Sequence, residues 1–155
     1  MTGFEFRQLG ADDPALADAL EVMRAAFAGM DGRIDPPSSL SRMTVQSLQE
    51  AAEKSEIWVE GNPIAGTVVL TPKGRVLYVG KLAVGRRRAG LGRALMALAE
   101  ERAAALGLGW LELESRVELV EVHAVFKRLG FHEVARTTHD GYRKPTSIMF
   151  RKAVG

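Results

Sequence analysis

One stretch constrains the fold more than any other: Leu82-Ala83-Val84-Gly85-Arg86-Arg87-Arg88-Ala89-Gly90-Leu91-Gly92-Arg93-Ala94-Leu95-Met96. It reads as a buried strand, a glycine-rich turn carrying three consecutive arginines, and then a helix. Glycine lets the backbone approach a ligand closely, and the first amides of a helix have no intrahelical acceptor. Together with the positive end of the helix dipole they form an anion site, contributing up to ~2 kcal/mol per favourable contact. Five cations (Lys81, Arg86, Arg87, Arg88 and Arg93) and no acid stand between positions 81 and 93. A phosphate-bearing ligand is the natural reading.

Elimination narrows the ligand. Gly85 and Gly90 have the glycine spacing of a Walker A loop, but Leu91-Gly92 follow where Lys and Ser or Thr must stand, so metal and γ-phosphate chemistry has no residues. The dinucleotide fingerprint fails too, because Gly90 and Gly92 are followed by Leu95. The pattern that fits is Arg-x-x-Gly-x-Gly at Arg87, Gly90 and Gly92.

The rest of the chain reads as one mixed α/β domain over residues 1–155. Residues 4–9 alternate apolar and polar, as a half-buried strand does. Asp12 or Asp13 then caps a helix with Pro14 at its first position, striped by Leu16, Leu20, Met23, Ala26 and Phe27 and closed by Gly29. Residues 29–43 are loop-like, and Thr44 caps a second helix through about Lys54. Strands at 57–59 and 64–70 flank the hairpin signal Gly61-Asn62-Pro63, and Lys73-Gly74 turns into a strand over 76–84. A helix over 92–106, a strand over 110–115, a helix over 118–129 stopped by Gly130, and strands at 131–138 and 147–151 complete the order β-α-α-β-β-β-α-β-α-β-β.

Composition removes several function classes. The chain has no cysteine, so disulfides, thiolate metal sites and cysteine nucleophiles are excluded, and the three His show no metal-ligand spacing with carboxylates. The net charge is only +2, so nucleic acid is not an expected partner. No apolar run has the length of a membrane span and the N-terminus lacks a signal pattern, so no membrane partner is expected and the cytoplasm is the expected compartment.

Strand, Arg-x-x-Gly-x-Gly and helix, followed by a strand and the helix end Ala124-Val125-Phe126-Lys127-Arg128-Leu129-Gly130-Phe131, resemble the GNAT family of acetyl-CoA-dependent N-acetyltransferases. The resemblance runs from about Ile57 to the end, and the β-α-α order before it agrees. It implies a single-domain GNAT fold, a mostly antiparallel mixed sheet of about seven strands flanked by about four helices. It also implies acetyl-CoA as cosubstrate, held by the amides of Arg87, Arg88, Ala89, Gly90, Leu91, Gly92 and Arg93 at the pyrophosphate and by Leu82, Ala83 and Val84 along the pantetheine arm. The turn is short, with only Gly85 and Arg86 between Val84 and the motif's Arg87. Phe126, expected beside the coenzyme, stands where the family commonly carries the Tyr that protonates the departing thiolate. An amine-bearing acceptor, small molecule or peptide, is implied as the second partner, and a homodimer is compatible with the resemblance.

Acetyl transfer needs a neutral amine. A lysine-like amine with pKa ~10.4 is almost wholly protonated near neutral pH, a handicap of about 4.6 kcal/mol that a general base offsets in part. Trp110, Glu112 and Glu114 share one strand face, and Glu114 lies nearer the carboxyl end, where α/β sheets open their ligand crevice. Glu114 is therefore the candidate base, the alternative being a strand-end carboxylate paired with an arginine. Tyr78, near where some family members place a catalytic Glu, is a second candidate, the alternative being a core residue with a satisfied hydroxyl. His123, three residues before Phe126 on one helix face, is a candidate acid or a structural residue. Two loops that border the acceptor site in the family supply Asp31, Arg33 and Ser38 early and Tyr142 late. The rival readings are a catalytically silent coenzyme-A-binding regulatory module and a nucleic-acid binder using Arg86-Arg87-Arg88.

Overall fold

A computed structural model of the chain describes residues 3–30, 32–85 and 89–155. It begins with β1 (Phe6–Leu9), α1 (Leu16–Ala28), a 3-10 turn (Ser39–Arg42), α2 (Val45–Lys54), β2 (Glu56–Glu60) and β3 (Gly66–Lys73). There follow β4 (Val76–Val84), α3 (Leu91–Ala105), β5 (Trp110–Arg116), α4 (Val120–Arg128), β6 (His132–Thr137) and β7 (Ser147–Ala153). One sheet takes all seven strands in the order β1-β2-β3-β4-β5-β7-β6. Every neighbouring pair is antiparallel except β4 with β5, which run parallel. The α/β class, the element order and the mostly antiparallel sheet are as the sequence leads one to expect.

The period-two alternation of the strands splits the apolar residues between two cores. Val68 and Leu70 of β3 pack with Leu77 and Val79 of β4 against Leu91, Leu95 and Met96 of α3. Val69 and Ala83 point the other way, into Leu16, Leu20 and Met23 of α1 and Leu48 of α2. The strand β3 starts at Gly66, two residues later than expected, and a Cβ there would lie 2.9 Å from the Leu91 side chain of α3, so this position requires glycine.

Thr44 caps α2 as its sequence predicts: Ser47 N donates to Thr44 Oγ1 at 3.2 Å and Thr44 N donates back to Ser47 Oγ at 3.1 Å. The start of α1 is corrected. Asp13 does accept a bond from Ala15 N, at 2.9 Å, but it closes a turn ahead of the helix, whose N-cap is Ala15. Within the expected loop 29–43, Ser38 Oγ accepts from Leu40 N and nucleates the 3-10 turn. Leu106, expected on the apolar stripe of α3, lies beyond its last residue and is exposed.

An ion pair ties α3 to the sheet. Arg102 donates from Nε and a terminal nitrogen to the two Glu56 oxygens, each at 2.7 Å, and Trp58 Nε1 donates to Glu56 at 2.9 Å. The hydrogen bonds from Arg102 hold the Glu56 carboxyl below the usual carboxylate range, against the opposing effect of burial. Both side chains are mostly shielded, 15% and 29% exposed, so this pair outweighs an ordinary surface pair. We expect Glu56→Gln to lower stability by about 1–3 kcal/mol at neutral pH. A carboxyl that is more acidic when folded stabilises above the carboxylate range, and loses that contribution as pH falls through its folded value. Urea unfolding of parent and variant should therefore converge in acid.

Candidate active site

The two parallel strands at the middle of the sheet pair over only three residues: Val76 with Trp110, Leu77 with Leu111 and Tyr78 with Glu112. Beyond them β5 continues against β7, from Leu113 opposite Phe150 to Arg116 opposite Ser147. β4 continues against β3, ending with Val84 opposite Gly66. The strands part, and the inner edge of β4 from 79 to 84 faces a gap instead of a neighbour. That gap opens into a cleft of about 450 Å³, walled by residues 78–82 and 113–116, by Phe27 of α1 and Met30 of the loop after it, and by Phe126 of α4.

β4 carries a bulge at the cleft. Thr67 lies opposite Ala83 and Val69 opposite Gly80, so β4 has one residue more than β3 across this interval. Lys81 absorbs it at φ 50, the one non-glycine residue at positive φ among those described. The buried Thr67 hydroxyl donates to the Lys81 carbonyl at 2.9 Å and fixes the distortion. A bulge of this kind re-aims side chains and terminates pairing next to a site.

At the far end of β4 the expected anion site takes shape. Gly90 caps α3 at φ 82, with no side chain on the helix terminus and no acid in the first turn. A Cβ at Gly90 would meet nothing within 4 Å among the described residues, so they leave the space above the helix start open. The Ala94 amide donates to Gly90 O at 2.9 Å, which leaves the amides of Leu91, Gly92 and Arg93 ahead of the helix ladder. Gly85 is not part of this set, because its amide donates to Ala65 O at 2.8 Å. Of the expected coenzyme contacts, Ala89, Gly90, Leu91, Gly92 and Arg93 gather here, with Val84 at the strand end. Leu82 lines the cleft and Ala83 is buried on the α1 side. Arg87 and Arg88, with Arg86, lie outside the described residues.

Among the acid–base candidates, Glu114 stands on the cleft wall. Its partner is a hydroxyl and not an arginine: Thr137 Oγ1 of β6 donates to Glu114 Oε1 at 3.1 Å. The buried strand carboxylate that does pair with arginine is Glu112, 2.8 Å from Arg151 Nε. Tyr78 also faces the cleft. Burial first, then the charges of Glu114 and Glu112, push its hydroxyl up to about 12, so it stays a donor near neutral pH. His123 is not on the cleft wall. Its Nε2 donates to the Arg116 carbonyl at 2.8 Å and its ring packs 5.6 Å from that of Phe150, the structural alternative to an acid. Phe126 does line the cleft, with its ring about equally close to Phe131 and Phe150.

The acceptor-side candidates separate. Ser38 lines the cleft. Arg33 points away into a 2.6 Å ion pair with Glu121 of α4, both well exposed. The Tyr142 hydroxyl donates to Asp35 and borders a neighbouring pocket of about 380 Å³. Asp31 lies outside the described residues. Two residues that sequence reasoning passes over also bear on the site: Thr137, which orients Glu114, and Arg116, whose guanidinium donates to the carbonyls of Pro36 and Pro37 and so pins the early loop. Neither has a local signal, since each partner lies more than twenty residues away. Among the described residues no group of three or more His, Asp or Glu could hold a metal ion, and no helix is long and apolar enough to cross a membrane.

No curated protein matches the chain. Solved structures share its fold at low identity. The ribosomal-protein-S18-alanine N-acetyltransferase of Escherichia coli superposes with a TM-score of 0.72 at 19% identity, over 97% of this chain and 94% of that one. An N-acetyltransferase from Thermoplasma acidophilum, PaiA, in complex with coenzyme A, gives 0.76 at 14% identity, over 97% and 99%. An acetyltransferase of the GNAT family from Streptococcus pneumoniae gives 0.71 at 17% identity, over 98% and 99%. The sequence model of the Acetyltransferase (GNAT) family matches residues 21–131, which hold the parted strands, the bulge, the open helix terminus and most of the cleft wall. The chain belongs to the GNAT acetyltransferase family and is an acyltransferase with acetyl-CoA as cosubstrate.

Proposed function

We propose that this protein, as a single domain over 1–155 acting in the cytoplasm, moves the acetyl group of acetyl-CoA directly onto a primary amine of a small molecule or peptide. The observation that carries the reading is the continuity of the cleft. It runs without interruption from the β4 edge and Phe126 to Ser38 and Met30 of the opposite loop, so a thioester and an amine have one shared space. The neighbours whose names specify N-acetylation point the same way.

The pyrophosphate is held by the amides of residues 89–93 at the α3 terminus, and the pantetheine arm lies along Leu82 and the β4 edge. Much of the rate comes from holding two reactants in register, for which effective molarities of roughly 10⁵–10⁸ M are attainable. A β4 amide at the parted edge polarises the thioester carbonyl as the amine nitrogen bonds to its carbon and the C–S bond breaks. Glu114, oriented by Thr137, takes the amine's proton through water. Tyr78, held protonated, donates and does not serve as base. The cleft offers no hydroxyl at Phe126 to protonate the leaving thiolate, and a thiol with a cysteine-like pKa of ~8.5 leaves adequately without one.

Phe126 also favours a second reading, a coenzyme-A-binding module without turnover. One pair of measurements separates the two. Coenzyme A at a hundredfold excess over its Kd should stabilise the fold by about 2.7 kcal/mol, read as a rise in Tm. Thiol release from acetyl-CoA, screened against amines and peptides, should then exceed hydrolysis alone. A thermal shift without amine-dependent release favours the silent module, and no shift at millimolar coenzyme removes both.

A further inference from the structure

Lys81 belongs by sequence to the five cations around the glycine-rich turn, and the fold separates it from the one other member among the described residues, Arg93 of α3. It sits in the bulge, three residues of extended chain and about 10 Å before the end of β4, on the wall of the cleft and not at the α3 terminus. Its backbone takes a conformation that L-residues rarely adopt, and the buried Thr67 hydroxyl holds it there. The side chain is half-buried, and among the described residues no carboxylate pairs with it. Burial pulls the ammonium below the ordinary lysine range with no acid to offset it.

The rest of the wall makes the imbalance larger. The second cation there, Arg116, is bonded to the carbonyls of Pro36 and Pro37, which orient its charge without neutralising it. The one carboxylate on the wall, Glu114, is engaged by Thr137. Two cations against one carboxylate leave the described wall net positive, although the reaction must admit an amine that is itself cationic in water. A shielded cation lacking a counter-ion is stabilised by a ligand that supplies one. The cosubstrate's phosphates belong to the α3 terminus beyond Val84, about 10 Å of extended chain further on.

We propose that Lys81 recognises the acceptor: its ammonium pairs with a carboxylate carried by the molecule whose amine is acetylated, so that the acceptor is an amino acid or a short peptide with an acid near its amine. This rests on the acetyl-transfer reading above and names its substrate class. The amine then enters beside Glu114 while its carboxylate is held at the bulge. Charge neutralisation at Lys81 offsets the repulsion a bare ammonium would meet.

The test measures thiol release from acetyl-CoA with matched pairs, each an L-amino acid or dipeptide and its carboxamide, in the parent, Lys81→Met and Lys81→Arg. The parent should prefer the carboxylate member by tenfold or more in kcat/KM, with the difference in KM. Lys81→Met should reduce that preference to within about twofold while keeping the thermal shift with coenzyme A, and Lys81→Arg should restore part of it. Equal use of both members by the parent overturns the assignment without any variant, as does a preference retained in Lys81→Met. Transfer to simple amines such as benzylamine, with none to either member of any pair, overturns the assignment and leaves the acetyl-transfer reading standing. No amine-dependent release at all defeats both.

Discussion

Gly90→Glu should abolish coenzyme A binding and leave the fold in place. At φ 82 any side chain at this position is strained, by roughly 1–2 kcal/mol, which a domain with about 5–15 kcal/mol of stability survives. A Cβ there meets no atom of the described residues within 4 Å, so the carboxylate would project towards the volume that the pyrophosphate would occupy. A carboxylate about 4 Å from a phosphate charge costs about 4 kcal/mol at an effective dielectric of ~20, close to a thousandfold in Kd. Titration calorimetry reads the loss and far-UV circular dichroism the retained fold. Gly90→Ala carries the same backbone strain without the charge, and should bind more weakly than the parent but far better than Gly90→Glu. Unchanged affinity in Gly90→Glu would move the phosphate site away from the start of α3.

Glu114→Gln should lower kcat/KM by something like ten- to a thousandfold at or below neutral pH, within the range general-base catalysis contributes. The substitution is isosteric and keeps an oxygen to accept the Thr137 hydrogen bond, while the charge and basicity of the carboxylate are lost and an NH2 donor replaces its second oxygen. The sign of the pH dependence distinguishes the role. A base matters while the amine arrives protonated, and the deficit should shrink as rising pH deprotonates the amine in solution. A loss of equal size at every pH would make Glu114 a binding or structural residue. Thermal shift with coenzyme A should be the same in parent and variant, since Glu114 is on β5 and takes no part in the amide set at the α3 terminus.

The order of the elements was readable because each carries a local signature. The apolar stripe of α1, the Thr44–Ser47 cap of α2 and the Arg87, Gly90, Gly92 spacing at the start of α3 are each built from residues close together in the chain, where short-range sterics and hydrogen bonds act. The anion site is legible for the same reason. It consists of one turn and one helix end, and its chemistry is that of consecutive backbone amides.

What the tertiary structure alone decided lies between distant segments. That β4 and β5 part after Tyr78 and Glu112 follows from competition among neighbours, β7 holding the end of β5 and β3 the end of β4, and no residue in either strand announces it. Alternation placed Glu112 and Glu114 on one face. Only the fold gave Arg151 to the first and Thr137 to the second, and so left the second available for chemistry. His123, which on a helix face is more often structural than catalytic, is given its structural role by the Arg116 carbonyl that accepts a hydrogen bond from its Nε2. Lys81 reads in the chain as one more member of a basic cluster. A single extra residue in β4, locked by a hydroxyl fourteen positions earlier, places it on the wall of the cleft. Local propensity determines which elements form and where a helix end faces outward. Which side chains meet, and which charge is left without a partner, is set by packing between elements that the linear sequence does not bring together.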